Sequence, residues 1–167
     1  PGGGIKMEQL TLFKPPYKYI IDSCSIFSQK PDRTYRRQVH KSLWEKIEEC
    51  IRTNLIVICS EIFDEIKDED IKKWLQLHRC VVLEIDDDVQ LNVRKIVTEH
   101  PEMIEFTGGG GTSSGDAFLL ATAMKYHLSI ITEENPQKAK KLPMISKNYG
   151  VSTFNIIELC EQEKWVL

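Results

Sequence analysis

Residues 55–65 read LIVICSEIFDE, and the change of pattern inside that stretch decides the architecture. Leu55 to Cys59 is an unbroken apolar run of strand length, as expected for a strand covered on both faces. Ser60 follows at a position suited to capping a helix, and Ile62, Phe63 and Ile66 come next at helical spacing. A buried strand therefore runs straight into a helix. Toward the N-terminus, residues 17–22 (YKYIID) form a β-rich run that ends in an acid and is preceded by Pro15 and Pro16. Between these two runs, Val39, Leu43, Ile47 and Ile51 recur every fourth residue, which predicts a helix over 34–53 with those side chains on one face.

Toward the C-terminus the alternation continues. We read helices over 68–78, 86–100 and 116–126, the last burying Ala117, Leu120, Ala121 and Met124. Strands are expected over 80–85 and 128–132, then a polar loop to about residue 150, a short strand over 151–154 and a final helix over 155–163. Strands alternating with helices imply an α/β fold, a three-layer α/β/α sandwich around a central, mostly parallel twisted sheet.

The chain has 167 residues, enough for one well-buried core and too few for two ordinary domains. Residues 1–16 are expected to be an engineering scar and N-terminal arm, with Met7 a plausible native start, and residues 17–167 one domain. Gly108 to Gly111 lie in a loop over 107–115 that is expected to be flexible. No apolar run approaches the roughly 20 residues a membrane helix needs, and no signal-peptide pattern opens the chain, so a cytoplasmic protein without membrane association is expected.

Five cysteines, scattered and without a CxxC pair, argue against a disulfide framework or a structural zinc site, and four of them read as small buried side chains. The four histidines show no ligand spacing. A net charge of −3 weighs against a protein that coats nucleic acid by charge alone, but a site rich in carboxylates would itself lower the charge.

The chemistry rests on four acids: Asp22 closes the first strand, Glu65 lies in the helix after the second, Asp116 opens the helix after the glycine loop, and Glu134 follows a strand. Each taken alone has an ordinary explanation, as a cap, a turn former or a solvated charge. Together they stand at element ends, and they are expected to face one shared crevice at the carboxyl edge of a parallel sheet, where ligands gather in such folds. Each is also set in apolar sequence, where an ionised carboxylate is costly unless a cation accompanies it. Oxygen-only ligation suits Mg2+ or Mn2+ better than zinc.

The ordered series IIDSCSIF, ICSEIFDEI, SGDAFLLATA and SIITEEN resembles the PIN domain nucleases, particularly the VapC-like toxin branch and, within it, a subgroup whose last acid is Glu. Residues 141–143 and 148–151 are similar to that subgroup too, and the likeness runs from about Tyr17 to Glu161. The resemblance implies a PIN-like fold and a Mg2+- or Mn2+-dependent endoribonuclease, a hydrolase of RNA phosphodiester bonds. It implies Asp22, Asp116 and Glu134 as metal ligands, with Glu65 as a further catalytic acid. Ser23 and Thr132 would support the site, Thr132 by orienting the Glu134 carboxylate. Arg33, Arg36 and Arg37 form a basic cluster that would contact RNA, and Lys138, Lys140 and Lys141 have a similar claim. Cys24 stands where the family usually has Asn, and Glu134 where it has Asp. The family also implies a toxin–antitoxin pair, with a cognate antitoxin protein and a homodimer as partners.

Other readings fit less well. A haloacid-dehalogenase-like phosphatase needs a second acid where Cys24 stands, the glycine run lacks the lysine of a P-loop, and no glycine-rich fingerprint follows the first strand. Paired acids and a late lysine of a response-regulator receiver are not evident. The alternative from another class is a catalytically impaired PIN-fold module that binds protein or RNA.

Overall fold

The computed structural model describes residues 16–104 and 115–167. The N-terminal arm up to residue 15 and the glycine run of the 107–115 loop lie outside the described residues. The elements follow one another as β1 (Tyr19–Ile21), α1 (Ser23–Phe27), α2 (Lys41–Arg52), β2 (Ile56–Cys59), α3 (Ser60–Glu65), α4 (Glu69–Leu77), β3 (Val82–Leu83) and α5 (Asp87–Glu99). A 3-10 turn at Pro101–Ile104, α6 (Gly115–Tyr126), β4 (Ser129–Ile131), α7 (Leu142–Lys147), β5 (Thr153–Phe154) and α8 (Ile156–Glu163) complete the series.

The five strands form one sheet in the order β3-β2-β1-β4-β5, and every neighbouring pair is parallel. Helices flank this sheet in a three-layer α/β/α sandwich, which agrees with the expected fold class. β1 and β2 are buried along their whole length, as strands covered on both faces must be. The chain builds β1, β2 and β3 in one direction, then returns across β1 to add β4 and β5. The order thus reverses between β1 and β4, which opens a crevice at their carboxyl ends. Register fixes what meets there. Ile21 pairs with Ile131, and the Asp22 N–H continues the ladder by donating to Ile131 O at 2.9 Å. Thr132 N–H does the same toward Phe154 O at 2.9 Å. Asp22 and Thr132 are therefore held side by side by backbone before any side-chain contact is made.

α6 lies behind this crevice, packed against α5, α3 and three strands. Asp116, Ala117, Leu119, Leu120, Ala121, Thr122 and Ala123 are all buried, so the helix is covered nearly all round. Its small residues let neighbours approach closely. Met124, expected on the buried side, is only half-buried.

Several expectations need correction. The predicted helix over 34–53 starts only at Lys41, and Val39 is 65% exposed. The backbone of the preceding segment is used otherwise: Tyr35 N–H donates to Ser28 O, Arg37 N–H to Gln29 O, and Trp44 Nε1 donates to Tyr35 O at 2.6 Å. A short helix, α1, follows Asp22 directly where none was expected. Cys59, not Ser60, takes the cap position of α3. The strand read over 80–85 contracts to Val82–Leu83. The polar loop before residue 150 contains α7, whose Pro143 sits in the first turn, where a missing N–H breaks no helical bond. All five cysteines are free; Cys50 and Cys59 are buried, and Cys24, Cys80 and Cys160 are intermediate. Among the described residues, no helix is long and apolar enough to cross a membrane.

Candidate metal centre

Asp22, Asp116 and Glu134 each bring a carboxylate oxygen to one place, the three oxygens lying within 4.8 Å of one another. Asp22 arrives from the end of β1, Asp116 from the first turn of α6 and Glu134 from the loop beyond β4. Asp22 and Asp116 are 4% and 5% exposed, so water solvates neither well.

Asp22 is held on both oxygens. Ser23 N–H donates to Oδ1 at 2.8 Å, making Asp22 the cap of α1. Thr132 Oγ1 donates to Oδ2 at 2.9 Å, and the Cys24 thiol also points at Oδ2 from 3.3 Å. Thr132 accepts in turn from Glu134 N–H at 3.2 Å. Its hydroxyl therefore orients the Asp22 carboxylate and the Glu134 backbone, whereas the sequence suggested that it orients the Glu134 side chain. That carboxylate is steered from the other side, where Leu142 N–H at the start of α7 donates to Glu134 Oε2 at 3.2 Å. Ser23 supports the site through its backbone N–H.

Cys24, one of the two departures from the pattern the sequence resembles, is wired into the site. Its sulfur lies 3.3 Å from Asp22 Oδ2, 3.4 Å from Thr132 Oγ1, and accepts from Glu133 N–H at 3.3 Å. Burial and the neighbouring Asp22 charge push its pKa up to about 12, so it stays a thiol and keeps its proton to share.

Electrostatics make the grouping costly without a cation. Burial is the main force raising the Asp116 pKa to about 9, and the charges of Asp22, Glu134 and Glu65 add to it, with Lys141 opposing. Burial likewise raises Asp22; Thr132 opposes that shift and the Glu134 charge reinforces it. Three carboxylates offering oxygens and no nitrogen or sulfur fit a hard divalent cation, and this buried triad could hold a metal ion.

Glu65 is the last residue of α3, and its Oε1 accepts from Gly115 N–H at 3.2 Å, at the start of α6 and one residue from Asp116. The approach is close: a Cβ on Gly115 would fall 2.7 and 2.8 Å from the two Glu65 oxygens. Glycine is required there for space.

The three arginines part company. Arg37 turns inward, donating to Glu48 Oε2 at 2.8 Å and to Gln29 Oε1 at 2.9 Å, with its guanidinium 6.0 Å from the Trp44 ring and 5.8 Å from the Trp74 ring. Arg36 and Arg33 are exposed, Arg33 passing within 3.7 Å of Asp32. Of the lysines, Lys141 acts electrostatically on Asp116. Sequence reasoning missed the partners of Cys24, the close approach at Gly115 and the buried Glu48. A glycine directly before an acid at a helix start was the available signal for the second.

No curated protein matches the chain. The family model described as "Domain of unknown function (DUF4411)" matches residues 19–167, from the first residue of β1 to the last residue of the chain and so across all three acids, and the chain belongs to that family.

Proposed function

We propose that the protein is a metal-dependent ribonuclease of the PIN type, hydrolysing RNA phosphodiester bonds. The observation that carries this reading is the convergence of Asp22, Asp116 and Glu134 from three remote segments to within 4.8 Å. The parallel sheet and the ordered acidic motifs are compatible with it.

Asp22, Asp116 and Glu134 would hold Mg2+ or Mn2+. When bound, the cation supplies charge that offsets the carboxylates, makes water more acidic and screens the scissile phosphate. The protein's share is positional. Thr132 and Ser23 fix both Asp22 oxygens, Leu142 N–H fixes Glu134, and Glu65 stands beside Asp116 as the flanking acid. In this reading water adds to phosphorus in line, the bond to the 3′ oxygen breaks, and that oxygen leaves as a hydroxyl after taking a proton. No histidine takes part. The family likeness extends the proposal to a toxin restrained by an antitoxin that covers the acid cluster, and to a homodimer.

The test is cleavage of single-stranded RNA in Mn2+ by the wild type, Asp22→Asn and Asp116→Asn. The proposal expects activity in the first and loss by orders of magnitude in both variants, with growth arrest on expression relieved by the same changes. Equal activity in all three would point to a contaminating nuclease and refute it.

A further inference from the structure

Beside the acid cluster the surface opens into a cavity of about 380 Å³ whose lining includes Cys24, Ser28, Arg33, Tyr35 and Glu133. Pockets for small organic ligands run from roughly 300 to 1,000 Å³, so one nucleotide is a reasonable occupant. The cavity adjoins the candidate centre through Cys24, which both lines it and touches Asp22 Oδ2 at 3.3 Å. Its lining offers a guanidinium for phosphate, an aromatic ring for a base, and two carboxylates, of which Asp32 stands beside the guanidinium and Glu133 can accept N–H groups from a base edge.

The wall is built rather than incidental. Tyr35 N–H donates to Ser28 O at 3.0 Å, Trp44 Nε1 clamps Tyr35 O at 2.6 Å, and Arg33 N–H donates to Lys30 O at 3.0 Å. Arg37, two residues beyond Tyr35, is anchored inward on Glu48. The segment that failed to become helix is thus tied down at several points, with Arg33 and Tyr35 both on the cavity. Arg33 is exposed, and its Nε lies 3.7 Å from Asp32 Oδ1, outside good hydrogen-bond range. Glu133 has Oε1 occupied by Ile156 N–H at 2.8 Å, which holds its side chain in place.

We infer that this cavity is the subsite for the nucleotide next to the scissile phosphate, with its base on Tyr35, its phosphate at Arg33 and its base edge read by Glu133. A carboxylate acceptor favours a base presenting adjacent N–H donors, which is guanine. The inference rests on the ribonuclease reading in placing this nucleotide next to a bond that is cut, but the subsite itself is a matter of binding.

The experiment therefore has two arms. In the first, short single-stranded RNA oligonucleotides, guanine-containing and guanine-free, are titrated by fluorescence anisotropy into Asp116→Asn protein, alone and combined with Arg33→Ala, Tyr35→Leu or Glu133→Gln. Tyr35→Leu keeps apolar bulk, and Glu133→Gln keeps an oxygen for Ile156 N–H, so the fold is preserved; circular dichroism checks this. In the second, KM, kcat and cleavage position are measured in Mn2+ with Asp116 intact. The expected results are about tenfold weaker binding for Arg33→Ala and Tyr35→Leu, a matching rise in KM, and loss of the guanine preference in Glu133→Gln. Unchanged affinity and unchanged base preference in all three variants overturn the subsite, even if cleavage still depends on Asp22. Weakened, guanine-selective binding without any metal-dependent cleavage supports the subsite and counts against the nuclease reading instead.

Discussion

The Thr132 hydroxyl has one proton and two lone pairs, and the site uses both functions: it donates to Asp22 Oδ2 at 2.9 Å and accepts from Glu134 N–H at 3.2 Å. Thr132→Val keeps the shape and removes both bonds. We expect it to weaken Mn2+ binding by about 10- to 100-fold, the usual cost of losing a group that orients a ligand, measurable by isothermal titration calorimetry. Cys24→Ala removes a weaker donor at 3.3 Å and should cost less than Thr132→Val. If Cys24→Ala costs more, the thiol has a part in the site that these contacts do not describe. Protonation belongs to the same scale. Asp116 and Asp22 bind protons more tightly in the folded, metal-free protein than in the unfolded chain, whose value is the ordinary 3.8. A folded state that holds the extra proton is favoured at low pH, so Asp116 makes the metal-free protein less stable as pH rises from 3.8 through about 9, and Asp22 acts in the same direction. Mn2+ displaces those protons, so its stabilising effect should grow over the same window. Thermal unfolding with and without Mn2+ across that range reads the sign directly, and a metal effect that shrinks with rising pH contradicts it.

At the scale of elements, the site depends on α3 and α6 meeting without a side chain between them. Gly115→Ala would put a methyl 2.7 Å from Glu65 Oε1 and 2.9 Å from Ile62 Cδ1. Either the Glu65 carboxylate or the start of α6, which carries Asp116, must move. We expect a loss of about 1–3 kcal/mol in denaturant unfolding, as for other overpacked contacts, together with weaker Mn2+ binding. Asn155→Ala is the contrasting case. Asn155 and Glu158 form a capping box on α8, bonding each other and none of the three acids, so its removal should cost about 1 kcal/mol and leave Mn2+ affinity unchanged. The elements themselves were legible in sequence where the apolar pattern is strong: β2 and α3 from LIVICSEIFDE, and α4 and α5, which lie within one residue of the bounds read from sequence. They were illegible where tertiary contacts override the pattern. Val39 fits the apolar spacing of Leu43 and Ile47, yet the Tyr35 and Arg37 backbones bond to Ser28 and Gln29 and keep the segment out of the helix. α1 and α7 are five and six residues long, too short to show a period. At the candidate site, the acids could be named because chain order and apolar context expose them. The partners of Cys24 and Thr132 could not, since they join positions more than a hundred residues apart.

For the molecule as a whole, the parallel sheet with its order reversing between β1 and β4 gathers carboxylates that the chain keeps far apart. A second polar knot braces the scaffold away from them. Glu48 Oε2 on α2 accepts from Arg37 Nη2 at 2.8 Å and from Trp74 Nε1 of α4 at 2.6 Å, with His78 Nε2 at 3.2 Å. Burial works against this carboxylate, but the Trp74 and Arg37 bonds hold its pKa below the usual 4.5. Its contribution to stability is therefore present above 4.5 and fades as pH falls through the lower folded value, the opposite sign to that of Asp116. The central claim is that Asp22, Asp116 and Glu134 together form one divalent cation site. Its most direct test is equilibrium binding of Mn2+ to the purified protein, followed by electron paramagnetic resonance, for the wild type and for Asp22→Asn, Asp116→Asn and Glu134→Gln. The account predicts saturable binding in the wild type and a marked loss of affinity in each single variant, although the residues come from three separate elements. Absence of binding in the wild type, or undiminished binding in all three variants, would contradict it.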